Sequence, residues 1–138
     1  MKEKTLVLIK PDAVEKRLIG AILFELERNG LNILHMKMMK ATPALAEQHY
    51  AELADKPFFP KIIDYITRGP LVALIIEGEN AIQRVRDLAG TTDPAESKDN
   101  TIRALYGKDK TENTVHASDS IESAEREMKL WFGEVYDN

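Results

Sequence analysis

Cysteine is absent from the 138-residue chain, which excludes disulfides, zinc–thiolate sites and a thiol nucleophile. Long apolar runs are missing too. Runs such as residues 6–9 and 71–76 fall far short of the roughly 20 residues a membrane-crossing helix needs. No signal-like apolar stretch or small-residue cleavage site follows Met1-Lys2-Glu3-Lys4, so no membrane association and a cytoplasmic location are expected. A basic excess is also lacking. With 19 Lys and Arg against 23 Asp and Glu, the net charge of −4 opposes stable nucleic-acid binding, which draws on clustered cations. A small phosphate pocket built from a few local cations stays open. Neither a P-loop nor a glycine-rich dinucleotide fingerprint is present, and there is no internal repeat or low-complexity segment. What remains, 43% hydrophobic and 30% charged residues, fits one domain over residues 1–138.

Residues 5–10 and 71–76 are apolar on both faces, as central strands covered by helices on each side would be. Val14, Leu18, Ile22 and Leu26 recur every four residues and predict one amphipathic helix, stopped by Asn29-Gly30. Leu34, Met36 and Met38 alternate with His35 and Lys37, predicting a strand whose apolar face is half-buried. Thr42-Pro43 opens the next helix. A further helical piece at residues 60–67 turns Ile62, Ile63 and Ile66 inward, and Asn80 can cap a helix that stops at Gly90. A strand around Val115 and a helix over residues 121–132 complete the chain. This alternation of strand and helix predicts an α/β sandwich of the split β-α-β type. Residues 90–112 break the pattern with little periodicity, and a loop of more than about 12–15 residues in a compact domain is usually functional or disordered.

His116 carries the strongest chemical case, because an imidazole held on an extended segment before a capped helix can attack phosphorus or act as a base. A surface histidine at a strand end is the plainer reading. Glu127 lies at the edge of the apolar stripe formed by Ile121, Ala124, Met128 and Trp131, where a carboxylate requires a partner. That partner is either the imidazole or a nearby Lys or Arg. Asp119 with Glu122 fits a capping box, while Ser118 and Ser120 read as simple caps. Lys10 sits at a strand end that Pro11 closes, where ligand sites gather in α/β sheets, although a lone lysine there is ordinarily solvated. With Arg86, Thr92 and Arg103 it could neutralise a transferring phosphoryl group. Tyr50 and Phe58 read as core packing or, for Phe58, as a platform for a base. His35 and His49 read as structural or surface residues.

Six motifs stand in order along nearly the whole chain: KPDAV at 10–14, KPFF at 56–59, Gly69-Pro70, EGENA at 77–81, GTTDPA at 90–95 and NTVHASDSIESAERE at 113–127. Together they resemble the nucleoside diphosphate kinase family. The resemblance implies a ferredoxin-like βαββαβ fold, an α+β sandwich with a four-stranded antiparallel sheet covered by helices, plus the long loop at about 90–112. It implies a phosphotransferase that moves the terminal phosphate of a nucleoside triphosphate, mainly ATP, to a nucleoside diphosphate. That transfer would be ping-pong, through a phosphohistidine on His116. Glu127 and Ser118 would orient the network, and Lys10, Tyr50, Arg86, Thr92 and Arg103 would contact phosphates. Asn113 with Lys10 would hold the ribose hydroxyls and Phe58 would stack on the base. Magnesium would be held mainly by the nucleotide's phosphates, with no protein cage. A homo-oligomer, hexamer or tetramer, is implied as well.

Two departures from the family pattern are visible. Ala117 stands where many members have glycine, and Asp99-Asn100 stands where many have Pro-Gly, in a loop that commonly contributes to trimer contacts. Two other function classes compete. One is a catalytically silent nucleotide-binding regulatory module, which would have lost the histidine or a phosphate ligand. The other is a ferredoxin-like nucleic-acid or small-ligand binding domain, which predicts a basic face with exposed aromatics.

Overall fold

The computed structural model describes residues 2–133. Its centre is a sheet of four strands in the order β2-β3-β1-β4, formed by β1 (Lys2–Ile9), β2 (Asn32–Met39), β3 (Leu71–Glu79) and β4 (Val115–Ala117). Every neighbouring pair is antiparallel. Seven helices cover it: α1 (Pro11–Glu15), α2 (Ile19–Arg28), α3 (Pro43–His49), α4 (Phe59–Ile66), α5 (Ala81–Ala89), α6 (Ile102–Tyr106) and α7 (Ile121–Phe132). This is the ferredoxin-like α+β sandwich expected from the sequence.

The two central strands explain their own composition. Side chains alternate across a strand, so Val7 and Ile9 of β1 with Val72, Leu74 and Ile76 of β3 build one core layer against Ile22, Leu26 and Val85. Leu6 and Leu8 with Leu71, Ala73 and Ile75 build the opposite layer against Ala46, Ile66, Met128 and Trp131. The same alternation sets β4. Val115 and Ala117 belong to the first layer, so His116 between them points to the second, where α3 and α7 lie.

Several local expectations need correction. The predicted helix from Val14 to Leu26 is two helices, because Arg17 adopts φ 63° between α1 and α2. Val14, Leu18, Ile22 and Leu26 nevertheless reach the same core layer. The β2 apolar face is not half-buried: Leu34, Met36 and Met38 are 40%, 57% and 58% exposed. Met36 and Met38 pair opposite Leu74 and Val72, but β2 is the edge strand and the covering helices leave that face open. The polar alternates lie over Phe132 instead, with Lys37 Nζ 4.8 Å from its ring centroid. On α4, Ile66 is buried while Ile62 and Ile63 are half-buried.

Residues 90–112 have structure of their own, a 3₁₀ turn at Pro94–Glu96 and α6, whose first turn Thr101 caps through Ala104 N–H. Gly90 opens the segment at φ 92°, and a Cβ there would meet Thr101 Oγ1 at 2.7 Å and Ser97 Oγ at 2.8 Å, so only glycine fits. Asn100 stands at φ 70°, a left-handed position that asparagine tolerates better than most residues. Ala117 avoids positive φ, so its side chain adds no backbone strain there. Asn80, itself at φ 50°, makes no side-chain cap to α5.

Candidate active site

The chain around the predicted histidine is set by neighbours on every side. Lys10 N–H donates to the Thr114 carbonyl at 2.9 Å, and Thr114 N–H donates to Asp12 Oδ2 at 3.1 Å. The Tyr65 hydroxyl donates to the other oxygen of Asp12. This buried network holds Thr114 at φ 77°, a conformation that a β-branched residue adopts only under constraint and that costs on the order of 1–3 kcal/mol. The turn delivers Asn113 to one side and starts β4 on the other.

His116 then faces α7. Its Nε2 lies 2.7 Å from Glu127 Oε1, which also accepts the Ser118 hydroxyl at 2.7 Å. An ionised carboxylate only accepts, so the ring donates from Nε2 and keeps the lone pair of Nδ1. At the α7 start the reading of Ser120 as a cap holds, and the Asp119 capping box does not form. Ser120, not Asp119, accepts the Ser123 N–H at 3.1 Å, while Asp119 is held below the usual carboxylate range, first by hydrogen bonding from Ser123. Glu127 is buried together with Ala124, Met128 and Trp131, whereas Ile121, expected in that stripe, is exposed.

A cavity of about 290 Å³ opens in front of the histidine. Lys10, Tyr50, Arg86, Thr92, Arg103, Asn113 and Glu127 all line it with His116. Lys10 is buried, donates to Asn113 Oδ1 at 2.7 Å, and is pulled down to about 7 by burial and then by repulsion from Arg103. Arg103 donates to the carbonyls of Gly90 at 2.8 Å, Val115 at 2.8 Å and Asn113 at 3.3 Å, fastening both ends of the 90–112 segment to β4. Burial, then Arg86, brings Arg103 down to about 10. Asn113 Nδ2 donates to the Thr92 carbonyl at 2.9 Å, and Arg86 Nη1 lies 3.5 Å from the Ala117 carbonyl. Burial pushes the Tyr50 hydroxyl well up, so it stays a neutral donor. Ser118 is buried behind Glu127, and Phe58, 47% exposed at the start of α4, lies outside the lining.

Four contributors escaped the sequence reading. His49 is buried at the end of α3, with its ring centroid 4.4 Å from that of His116 and nearly perpendicular to it. Burial, then the neighbouring His116, holds His49 well below the ordinary histidine range. Asp12 and Tyr65 supply the buried network under Thr114. Arg126 lines the cavity and reaches the Gln48 carbonyl at 3.2 Å, tying α7 to α3. The signal for His49 was its phase: three residues after Ala46, it shares that residue's inward face on a helix already fixed by the Thr42 cap.

An imidazole with a free Nδ1, braced by a buried carboxylate and facing several cations, can accept a phosphoryl group. The family model "Nucleoside diphosphate kinase" matches residues 3–136. A nucleoside diphosphate kinase of Clostridium perfringens is 57% identical over 134 residues, covering 97% of this chain and 94% of that protein. One from Archaeoglobus fulgidus is 52% identical, covering 96% and 87%. The crystal structure of the Aquifex aeolicus nucleoside diphosphate kinase superimposes with a TM-score of 0.94 at 41% identity, covering 98% of each chain. Sequence motifs, sheet order and site geometry agree with these likenesses, and the chain belongs to the nucleoside diphosphate kinase family.

Proposed function

We infer that this chain is a nucleoside diphosphate kinase that moves the terminal phosphate of a nucleoside triphosphate, mainly ATP, to a nucleoside diphosphate through His116. The observation that carries the reading is the His116 Nε2 to Glu127 Oε1 hydrogen bond at 2.7 Å, with Ser118 on the same oxygen. Glu127 fixes the tautomer, so the Nδ1 lone pair attacks the γ-phosphorus, the bond to the leaving oxygen of the nucleoside diphosphate breaks, and phosphohistidine forms. Glu127 stabilises the positive charge that develops on the ring. The acceptor diphosphate then reverses the step. Lys10, Tyr50, Arg86, Thr92 and Arg103 hold the phosphates and offset charge on the transferring group. Asn113 with Lys10 takes the ribose hydroxyls, and Phe58 stacks on the base from the rim. Stacking tolerates every base, since each has a π-face.

Magnesium is the proposed cofactor, and it supplies neutralisation of the phosphates' charge. Among the described residues, the group of possible metal ligands at the site is His49, His116 and Glu127, too rich in nitrogen for an ion that prefers oxygen. That donor chemistry supports magnesium carried mainly by the nucleotide rather than by a protein cage. A silent nucleotide-binding module gains no support, because every proposed phosphate ligand and the histidine are present.

The functional unit is one domain over residues 1–138, and cytoplasmic. No helix among the described residues is long and apolar enough to cross a membrane. It works as a homo-oligomer, hexamer or tetramer, a reading supported by the open β2 face, where Leu34, Met36 and Met38 lie exposed, as does Phe24 of α2. Met36→Lys with Met38→Lys is expected to lower the mass seen by light scattering to that of smaller species, and an unchanged mass would refute a role for this face.

The decisive experiment incubates the protein with γ-labelled ATP and magnesium, without acceptor. Label that survives base, is lost in acid and moves onto added nucleoside diphosphate is expected. Bound nucleotide without label would support the silent module instead.

A further inference from the structure

His49, His116 and Glu127 each place one possible ligand atom within 4.8 Å of the others. Two imidazoles and a carboxylate are the donor set of many zinc sites, where metal–nitrogen bonds run about 2.0–2.1 Å. Zinc captured here would take the Glu127 oxygen that braces the His116 ring at Nε2. Yet the ring nitrogens are already assigned. Trp131 Nε1–H donates to His49 Nδ1 at 3.0 Å within the buried layer. An indole nitrogen only donates, so His49 accepts at Nδ1 and carries its proton on Nε2. Neither nitrogen of His49 then offers a lone pair. His116 gives its Nε2–H to Glu127, so among the four ring nitrogens only His116 Nδ1 stays open.

We propose that the Trp131–His49 hydrogen bond is a tautomer lock that withholds His49 from a latent two-histidine, one-carboxylate zinc site and so reserves His116 for phosphorus. To ligate through Nε2, the His49 ring must move that proton to Nδ1, where it would meet the indole N–H donor head on. The lock also leaves the ring as a neutral partner packed edge-to-face on the nucleophile, with Tyr50 likewise perpendicular to it at 4.6 Å. His49 is in these terms a positioning residue, acting through His116.

Trp131→Phe keeps an apolar aromatic ring and deletes the donor. Zinc ion alone, titrated calorimetrically without nucleotide, is expected to bind this variant at least tenfold more tightly than the wild type. The double variant Trp131→Phe, His49→Phe is expected to lose that gain. In the magnesium-supported kinase assay, the single variant is expected to be inhibited at correspondingly lower zinc and restored by chelation. Equal zinc affinity in wild type and Trp131→Phe would overturn the proposal. A separate measurement on the wild type covers a variant that fails to fold: long-range proton–nitrogen NMR of the His49 ring. A proton on Nε2 is expected, and a proton on Nδ1 refutes the lock. Both binding and NMR read the device without turnover, so failure of the kinase reading and failure of the lock are distinguishable.

Discussion

Replacing His116 by alanine is expected to reduce phosphoryl transfer by at least ~10⁴-fold, since loss of a covalent nucleophile leaves only binding and electrostatic assistance. The fold is expected to survive. The His116 side chain is 19% exposed, while the core anchors of β4 are Val115 and Ala117 on the opposite face. Removing the imidazole leaves Glu127 still paired with Ser118, and Arg126 Nη2 lies 3.7 Å from its second oxygen, so the buried carboxylate is not stranded. Steady-state kinetics beside a thermal melt make the check. A variant that melts like the wild type and keeps more than a tenth of its turnover would sink the phosphohistidine mechanism.

Lys10→Ala is expected to lower kcat by about 10²–10³-fold with a much smaller change in KM, as loss of a preorganised donor to developing charge does. The residue also makes a pH prediction. Folding pulls Lys10 from its ordinary 10.5 to about 7, chiefly by burial. Between those values the unfolded chain holds a proton that the folded, nucleotide-free chain has released, so stability rises with pH across this window. Below about pH 7 both states are protonated, the burial penalty is fully present, and the slope vanishes. Phosphates brought into the cavity reverse the shift, because an opposite charge favours the ammonium. Nucleotide binding at pH 8 is therefore expected to take up close to one proton per site. Calorimetry in buffers of different ionisation enthalpy reads this directly. Uptake that persists in Lys10→Ala would remove Lys10 as its source.

The open β2 face and the latent zinc group concern different boundaries of the molecule. β2 presents Met36 and Met38 outward, so the proposed assembly would be decided on the far side of β3 from His116. The site is decided at β4, the opposite edge, where a three-residue strand positions one side chain between two helices. This separation lets an assembly variant keep its chemistry, and a site variant keep its assembly.

Much was legible because it is local or periodic. Strands apolar on both faces announced the central β1 and β3, and the Thr42-Pro43 start of α3 follows from short-range hydrogen bonding that any tertiary setting preserves. Glu127 at the edge of an apolar stripe was readable as a buried carboxylate in search of a partner, and the structure supplies His116. Where local signals compete, sequence fails. Both Asp119 and Ser120 can cap α7, and only the backbone path from β4 selects Ser120. The break at Arg17 interrupts a periodicity that is itself unbroken, because both helices still reach one core layer.

The sequence by itself determined the strand and helix pattern and the family, and singled out His116 as the candidate nucleophile, since hydrophobic period, caps and motif spacing are properties of neighbouring residues. Tertiary structure alone decided which β2 face is covered, because burial depends on what packs against a strand and not on its alternation. It decided too that Lys10 is desolvated rather than solvated, and that His49, 67 residues before His116, lies against it with its tautomer set by Trp131. Such effects arise from the environment that distant segments create around a group, and no local pattern encodes them.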